Sequence, residues 1–338
     1  VEAEGATELM KFLSEKAGHA LGRGQFGPLR FFAQSLGWLA RSGPPRFSAL
    51  KAEFVRRLSS PEVLEPLARL WPQERAAPES LEELRRILHL LPPAAAMVLA
   101  AVCGQTRNLD LQYLLVETLA GLLPLAKANL VPLIGANWKP PLILALLARL
   151  RQSRESAPPP ALFLIGLSRH AAPEVRVKAA ELLLDYHPAQ VRFLPHLPAD
   201  LDPAVNSFIC ERLSRQRDET AEKMLLDQLE DCYRRGLSRP RPLLLNLYRA
   251  LGRCASPSAL DFLGAVLLKK DLKSIFRGGE DDHRVGAALA LLLMPGEWGG
   301  AAILDRAEAS AFRGLRQARR AAEAELARGG RGGNERRP

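Results

Sequence analysis

Residues 171–183, AAPEVRVKAAELL, decide the reading of the fold. Pro173 suits the first turn of a helix, where its missing N–H has no intrahelical partner to lose, and Glu174 beside it complements the positive helix end. Val175, Ala179, Leu182 and Leu183 then recur at three-to-four-residue spacing and draw one apolar stripe, with Arg176, Lys178 and Glu181 off it. The small pair Ala179 and Ala180 keeps that face thin enough for a second helix to approach closely.

The pattern returns along the chain. Setting Arg284 against Arg176 in DDHRVGAALALLL (281–293) superposes Val285 on Val177, Ala287 and Ala288 on Ala179 and Ala180, and Leu291 on Leu183. In LDPAVNSFICERL (201–213), Asp202 is a good N-cap, and Pro203, Val205, Glu211 and Leu213 match Pro173, Val175, Glu181 and Leu183. A fainter copy, LDLQYLLVETLAGLL (109–123), places Leu111, Leu115, Glu117 and Leu119 at the positions of Val175, Ala179, Glu181 and Leu183.

This resembles the HEAT repeat family, whose second helix commonly opens Asp-Pro-x-Val-Arg and runs into a small-residue, leucine-rich face; the resemblance spans residues 81–326. It implies an all-α fold, a right-handed α-α superhelix of the HEAT-like or armadillo type. Two positions depart from the pattern, Ala172 in place of the capping aspartate and Asn206 in place of the arginine. They put the family's inter-repeat polar ladder in question.

Composition agrees with a helical stack. Leu, Ala, Arg and Glu dominate and aromatic residues are only 6%, so local preference favours helix almost throughout, and 47% hydrophobic residues suffice for a continuous core. The expected organisation is a cap of helical hairpins over 1–78, a repeat array over 79–328 with a proline-rich joint at 151–160, and a disordered Arg/Gly tail over 329–338. Within it, Ser80 with Glu83 reads as a capping box, 269–282 as a long mixed-charge connection, and 309–327 as a terminal capping helix with Phe312, Leu315, Ala322 and Leu326 facing inward. Trp138 reads as a turn anchor between repeats. The first residue is Val1 rather than Met, so an upstream segment is allowed for.

The chemical inventory is short. The spelling Gly-x-Gly-x-x-Gly at 22–27 follows a helix rather than a buried strand, so it reads as a helix-to-helix connection and not a dinucleotide turn. His19, His89, His170, His187, His196 and His283 are dispersed, with no HExxH, no His-Glu dipeptide of the kind found in HEAT-like di-iron hydroxylases, no Gly-x-Ser-x-Gly elbow and no phosphate loop. Cys103, Cys210, Cys232 and Cys254 form no Cys-x-x-Cys pair and read as buried small hydrophobes in a reducing compartment. No catalytic, cofactor-binding or metal-binding residue is assigned.

Net charge is +10, but most arginines are interleaved with glutamates; the tail with Arg328, Arg331, Arg336 and Arg337 reads as the main uncompensated cluster. Nucleic-acid binding is therefore expected to be weak and non-specific at most. The longest apolar runs, near 90–102, 141–150 and 285–294, fall short of the ~18 residues of a membrane span, and the start VEAEGATELMKF lacks a secretory pattern. The expected protein is a cytoplasmic, non-catalytic scaffold that binds a protein partner on a concave surface. A nucleic-acid-binding HEAT-like protein of the DNA-glycosylase type, or a HEAT-like lyase or chaperone subunit, is the alternative.

Overall fold

The computed structural model describes residues 2–71, 75–126, 129–152, 158–254, 256–269 and 281–331, and among these the regular structure is entirely helical. It falls into two compact units, Val1–Tyr186 and His187–Pro338. Residues 1–78 thus belong to the first unit; 153–157 of the expected joint and 270–280 of the long connection lie outside the described residues.

The first unit opens with α1 (Glu2–Gly22), α2 (Phe26–Ser42), α3 (Pro45–Leu58) and α4 (Pro61–Leu64), the last continuing as a 3-10 turn over Glu65–Arg69. The three-residue link from α1 to α2 turns at Gly24, whose φ of +71° favours glycine, so the glycine-rich spelling is a connection between helices. There follow α5 (Pro78–Leu88), α6 (Ala96–Gln105), α7 (Leu109–Leu122), α8 (Val131–Asn137), α9 (Pro140–Gln152), α10 (Ala161–Leu167) and α11 (Pro173–Tyr186). Alternate helices stack: α2, α5, α7, α9 and α11 form one row, α4, α6, α8 and α10 the other, joined by contacts such as α6–α7 and α10–α11.

The second unit comprises α12 (Pro203–Gln216), α13 (Glu219–Arg235), α14 (Arg241–Cys254), α15 (Ala259–Leu268), α16 (Asp282–Leu293), α17 (Gly300–Glu308) and α18 (Arg313–Arg331). Here α12, α14, α16 and α18 stack in sequence, while α15 packs on α17 and α13, α15 and α17 each contact a helix of that row. The terminal helix starts four residues later than the sequence suggests, because α17 runs on to Glu308, and it continues to Arg331, so 329–331 are helical where a tail was expected. Residues 332–338 lie outside the described residues. Its inward stripe is Leu315, Ala318 and Ala322.

All four motif copies, α7, α11, α12 and α16, fall in stacked rows, and their equivalent apolar positions are interior. Ala179, Ile209, Leu115 and Ala287 are each 0% exposed. The polar position two residues into the pattern has a common role that the sequence did not reveal. Gln112 donates to the Thr106 carbonyl (2.8 Å), Arg176 to those of His170 (2.9 Å) and Ala171 (2.7 Å), Asn206 to that of Pro198 (3.4 Å) and Arg284 to that of Lys269 (2.7 Å). Each helix thereby ties down the connection that precedes it, satisfying a carbonyl that the turn leaves without a ladder partner. The motif glutamates join neighbours within the row: Glu117 accepts from Arg85 of α5 (3.3 Å) and Glu181 from Arg151 of α9 (2.5 Å). The motif glutamates thus supply two inter-helix pairs in the first unit.

Three local expectations change or resolve. The capping box is not formed: α5 begins at Pro78, so Ser80 lies inside its first turn and Glu83 pairs with Arg30 of α2 at 3.4 Å. Trp138 is 5% exposed and donates through Nε1 to the Ala100 carbonyl at 2.9 Å, anchoring the α8–α9 turn on α6. The four cysteines are buried and free, and desolvation pushes the thiols of Cys103, Cys210 and Cys254 up to about 12. Among the described residues no single helix is long and apolar enough to cross a membrane; α5 together with α6 reaches that length and apolarity only across a 117° bend.

Candidate functional site

Two chain reversals in the second unit, from α13 to α14 and from α15 to α16, converge on one recess. Helix α13 starts at Asp218, whose side chain accepts from the Ala221 N–H (2.7 Å), and ends at Gly236, which takes the left-handed φ of +65° that stops a helix cleanly. Helix α16 starts at Asp281, whose carboxylate accepts from the N–H groups of His283 (3.1 Å) and Arg284 (3.4 Å). Between them α14 passes through the core. The end of α13, the first turns of α14 and the start of α16 enclose a cavity of about 550 Å³ bordered by Cys232, Tyr233, Arg239, Lys269, Asp282 and His283.

His283 is held from two sides. Its Nδ1 lies 3.0 Å from the hydroxyl of Tyr248, a residue with no exposed surface, and the ring of Tyr233 meets it edge-on at 5.3 Å. Burial depresses the imidazole pKa below its ordinary 6.5, with Asp281 and Asp282 opposing the shift, and burial raises the Tyr248 phenol well above 10. Both groups are therefore neutral at neutral pH, joined by one hydrogen bond. Lys269 stands 5.1 Å from the Tyr233 ring centroid, a cation–π arrangement. Arg284, buried beside it, pairs with Asp281 at 3.4 Å as well as holding the Lys269 carbonyl. Arg239 donates to the Pro198 carbonyl at 2.7 Å, the same oxygen that Asn206 reaches.

Tyr248 owes its position to glycine. A Cβ on Gly286 of α16 would overlap the Tyr248 ring, and one on Gly252 of α14 would overlap the backbone of Ala290. These two glycines let α14 and α16 approach closely enough for Tyr248 to reach across to His283. The row is then closed by Glu325 of α18, which pairs with Arg249 (3.1 Å) and Arg241 (3.6 Å) of α14, while Arg241 also meets Asp282 at 3.1 Å.

The recess offers mixed charge on fixed supports: cations at Lys269 and Arg239, a carboxylate at Asp282, and a neutral imidazole whose orientation is set by Tyr248. Such a surface suits a polar or charged side chain of another macromolecule. A second cavity in the same unit, about 710 Å³, includes Glu222, which is 6% exposed and accepts from the hydroxyls of Ser256 (3.1 Å) and Ser258 (2.7 Å). Among the described residues no three metal-ligating side chains converge.

By sequence alone His283 is one of six dispersed histidines. A signal was present: in the repeat register His283 stands where the other copies place Val175, Val205 and Leu111, all with 0% exposure. A polar ring at a core position needs an internal partner, and Tyr248 is that partner. In comparisons with protein-family models, curated proteins and solved structures, nothing matches this chain.

Proposed function

We propose that the chain is a HEAT-like α-solenoid, each unit a right-handed stack of helix pairs, and that it works as a non-catalytic scaffold for a protein partner. The observation that supports this reading is the alternation of contacts. Helices two apart in sequence stack on one another, all four motif copies lie in those stacked rows, and each copy uses the same polar position to hold the connection before it. That regularity is what a one-dimensional repeat array requires, since each repeat buries its face only against its neighbours. An array of this kind presents a long series of side chains from successive helices to a partner, and the mixed-charge recess beside His283 supplies a specific contact at one edge.

The test is reconstitution with a purified partner. After capture on the immobilised chain, the partner is titrated against the free protein and the complex is mapped by hydrogen exchange. Saturable binding that protects stacked-row helices, and that weakens at least about tenfold with Tyr113→Ala on α7 or Lys269→Glu at the recess, supports the scaffold. Protection confined to the chain termini, or substrate turnover by the chain alone, overturns it.

A further inference from the structure

The charge of this protein is not spread evenly. Between Gly22 and Ser60 there are seven arginines and lysines and one acid, Glu53, a net of +6 in a chain whose total is +10. The C-terminal tail, with four arginines against Glu335 over 328–338, carries half as much. The single acid is already committed: Glu53 accepts from Arg56 (2.6 and 2.7 Å) and Arg57 (2.6 Å) along α3. Arg30 is engaged with Glu83. Among the described residues Arg41, Arg46 and Lys51 pair with no carboxylate, and all three are exposed.

Helix α2 adds an apolar outer face to this field. Phe26, Leu29 and Leu36 are buried against the rest of the unit, yet Phe31 is 72% and Trp38 62% exposed. Seven residues apart, they fall on one line along the helix, about 10 Å from each other, and Arg41 lies one turn beyond Trp38 near the edge of that line. Gly27, one turn before Phe31, has nothing within 4 Å of where a side chain would begin, so this line faces open space. On α1, which packs against α2, Phe12 is also exposed, with Lys16 5.3 Å from its ring.

We propose that α2 and the first two turns of α3 form a peripheral docking surface for an anionic lipid bilayer, with Phe31 and Trp38 entering the interface and Arg41, Arg46 and Lys51 holding lipid headgroups. Aromatic side chains settle at the boundary between headgroups and acyl chains, and a polybasic segment is drawn to an anionic leaflet. One short apolar line binds such a surface only marginally, so the cations supply a necessary second signal. The shape favours a bilayer over single-stranded nucleic acid. Bases stack on aromatic residues that line a basic groove, whereas Phe31 and Trp38 stand exposed along a single helix. The surface also differs from the recess beside His283, which lies in the other unit.

The test is flotation of the whole chain with vesicles of phosphatidylcholine, with and without phosphatidylserine, at low and physiological salt. Binding is expected only with phosphatidylserine, falling as salt rises, and with a blue shift of tryptophan emission that Trp38→Tyr abolishes. The triple change Arg41→Gln, Arg46→Gln and Lys51→Gln is expected to lower affinity on the order of 100-fold. Phe31→Ala with Trp38→Ala lowers it at least about tenfold and leaves the melting temperature unchanged, since both side chains are exposed. Absence of binding to phosphatidylserine vesicles, binding indifferent to both sets of changes, or tighter binding to single-stranded poly-uridylate than to vesicles would each overturn the proposal.

Discussion

Asn206 occupies in α12 the register position that Arg176 occupies in α11, and both side chains donate to a carbonyl of the connection before their own helix. The chemistry of the residue changed while the hydrogen bond stayed. Asn206 has no exposed surface, and its oxygen also accepts from Asn246 of α14 at 3.4 Å. Asn206→Ala is expected to lower stability by about 1–3 kcal/mol, the usual consequence of leaving buried polar partners unmade. Asn206→Asp should be worse, because it replaces the donor facing Pro198 with a buried charge. Equal midpoints for the two variants in urea unfolding would show that the Pro198 carbonyl is not the partner that matters.

Gly286→Ala tests the approach of α14 to α16. By helix propensity alone the change should stabilise by up to about 1 kcal/mol. The Tyr248 ring occupies the space a methyl group would need, so destabilisation of about 1–3 kcal/mol is expected instead. The sign of the shift in the unfolding midpoint decides between the two.

Ala180 lies in the thin face of α11 with 0% exposure. Ala180→Asp places a carboxylate there without a partner, and a loss of at least about 3 kcal/mol is expected, read as a fall in melting temperature. An unchanged melting temperature would place Ala180 at the surface.

Two windows of pH dependence follow from opposite causes. Hydrogen bonds from Arg56 and Arg57 hold the Glu53 carboxylate down at about 2, so its contribution is present above its ordinary 4.5 and disappears as pH falls toward 2. Glu53 is partly exposed and solvent screens the pair, which limits the effect to about 1 kcal/mol. Burial lowers the pKa of His283, so the unfolded chain takes up a proton first and stability declines as pH falls below 6.5. Stability measured against pH should flatten below 4.5 in Glu53→Gln and just below 6.5 in His283→Gln; a wild-type slope in either variant would dismiss the corresponding group.

Removing the chain from Arg313 onward takes Leu315, Ala318 and Ala322 away from α16 and α17. The truncated chain should melt lower and self-associate, because an end repeat without its cap exposes an apolar face. Glu325→Gln, which removes the pairs with Arg241, Arg249 and Arg328 and leaves the apolar stripe in place, should cost about 1 kcal/mol or less. A truncation as stable and monodisperse as the full chain would deny α18 its capping role.

By itself, the sequence determined which segments are helical and which of their faces are interior. Helices α7, α11, α12 and α16 lie on the four motif stretches, and Val175, Ala179, Leu182 and Leu183 are all buried. Those features are legible because an apolar stripe with a 3.6-residue period is written in consecutive residues. Local signals failed where two competed: Pro78 opens α5 one turn ahead of the Ser80 signal, and residues 309–312, expected to start the final helix, form the connection between α17 and α18. Only the tertiary structure decided the partners of the polar groups. Tyr248 meets His283 across 35 residues of chain, Arg249 meets Glu325 across 76, and the motif side chains that looked solvated turn back onto carbonyls. The basic character of 22–60 was countable from the sequence, but the outward line of Phe31 and Trp38 was not. Helix α2 is apolar on both sides, and which side is left uncovered depends on where α1, α3 and α5 pack against it.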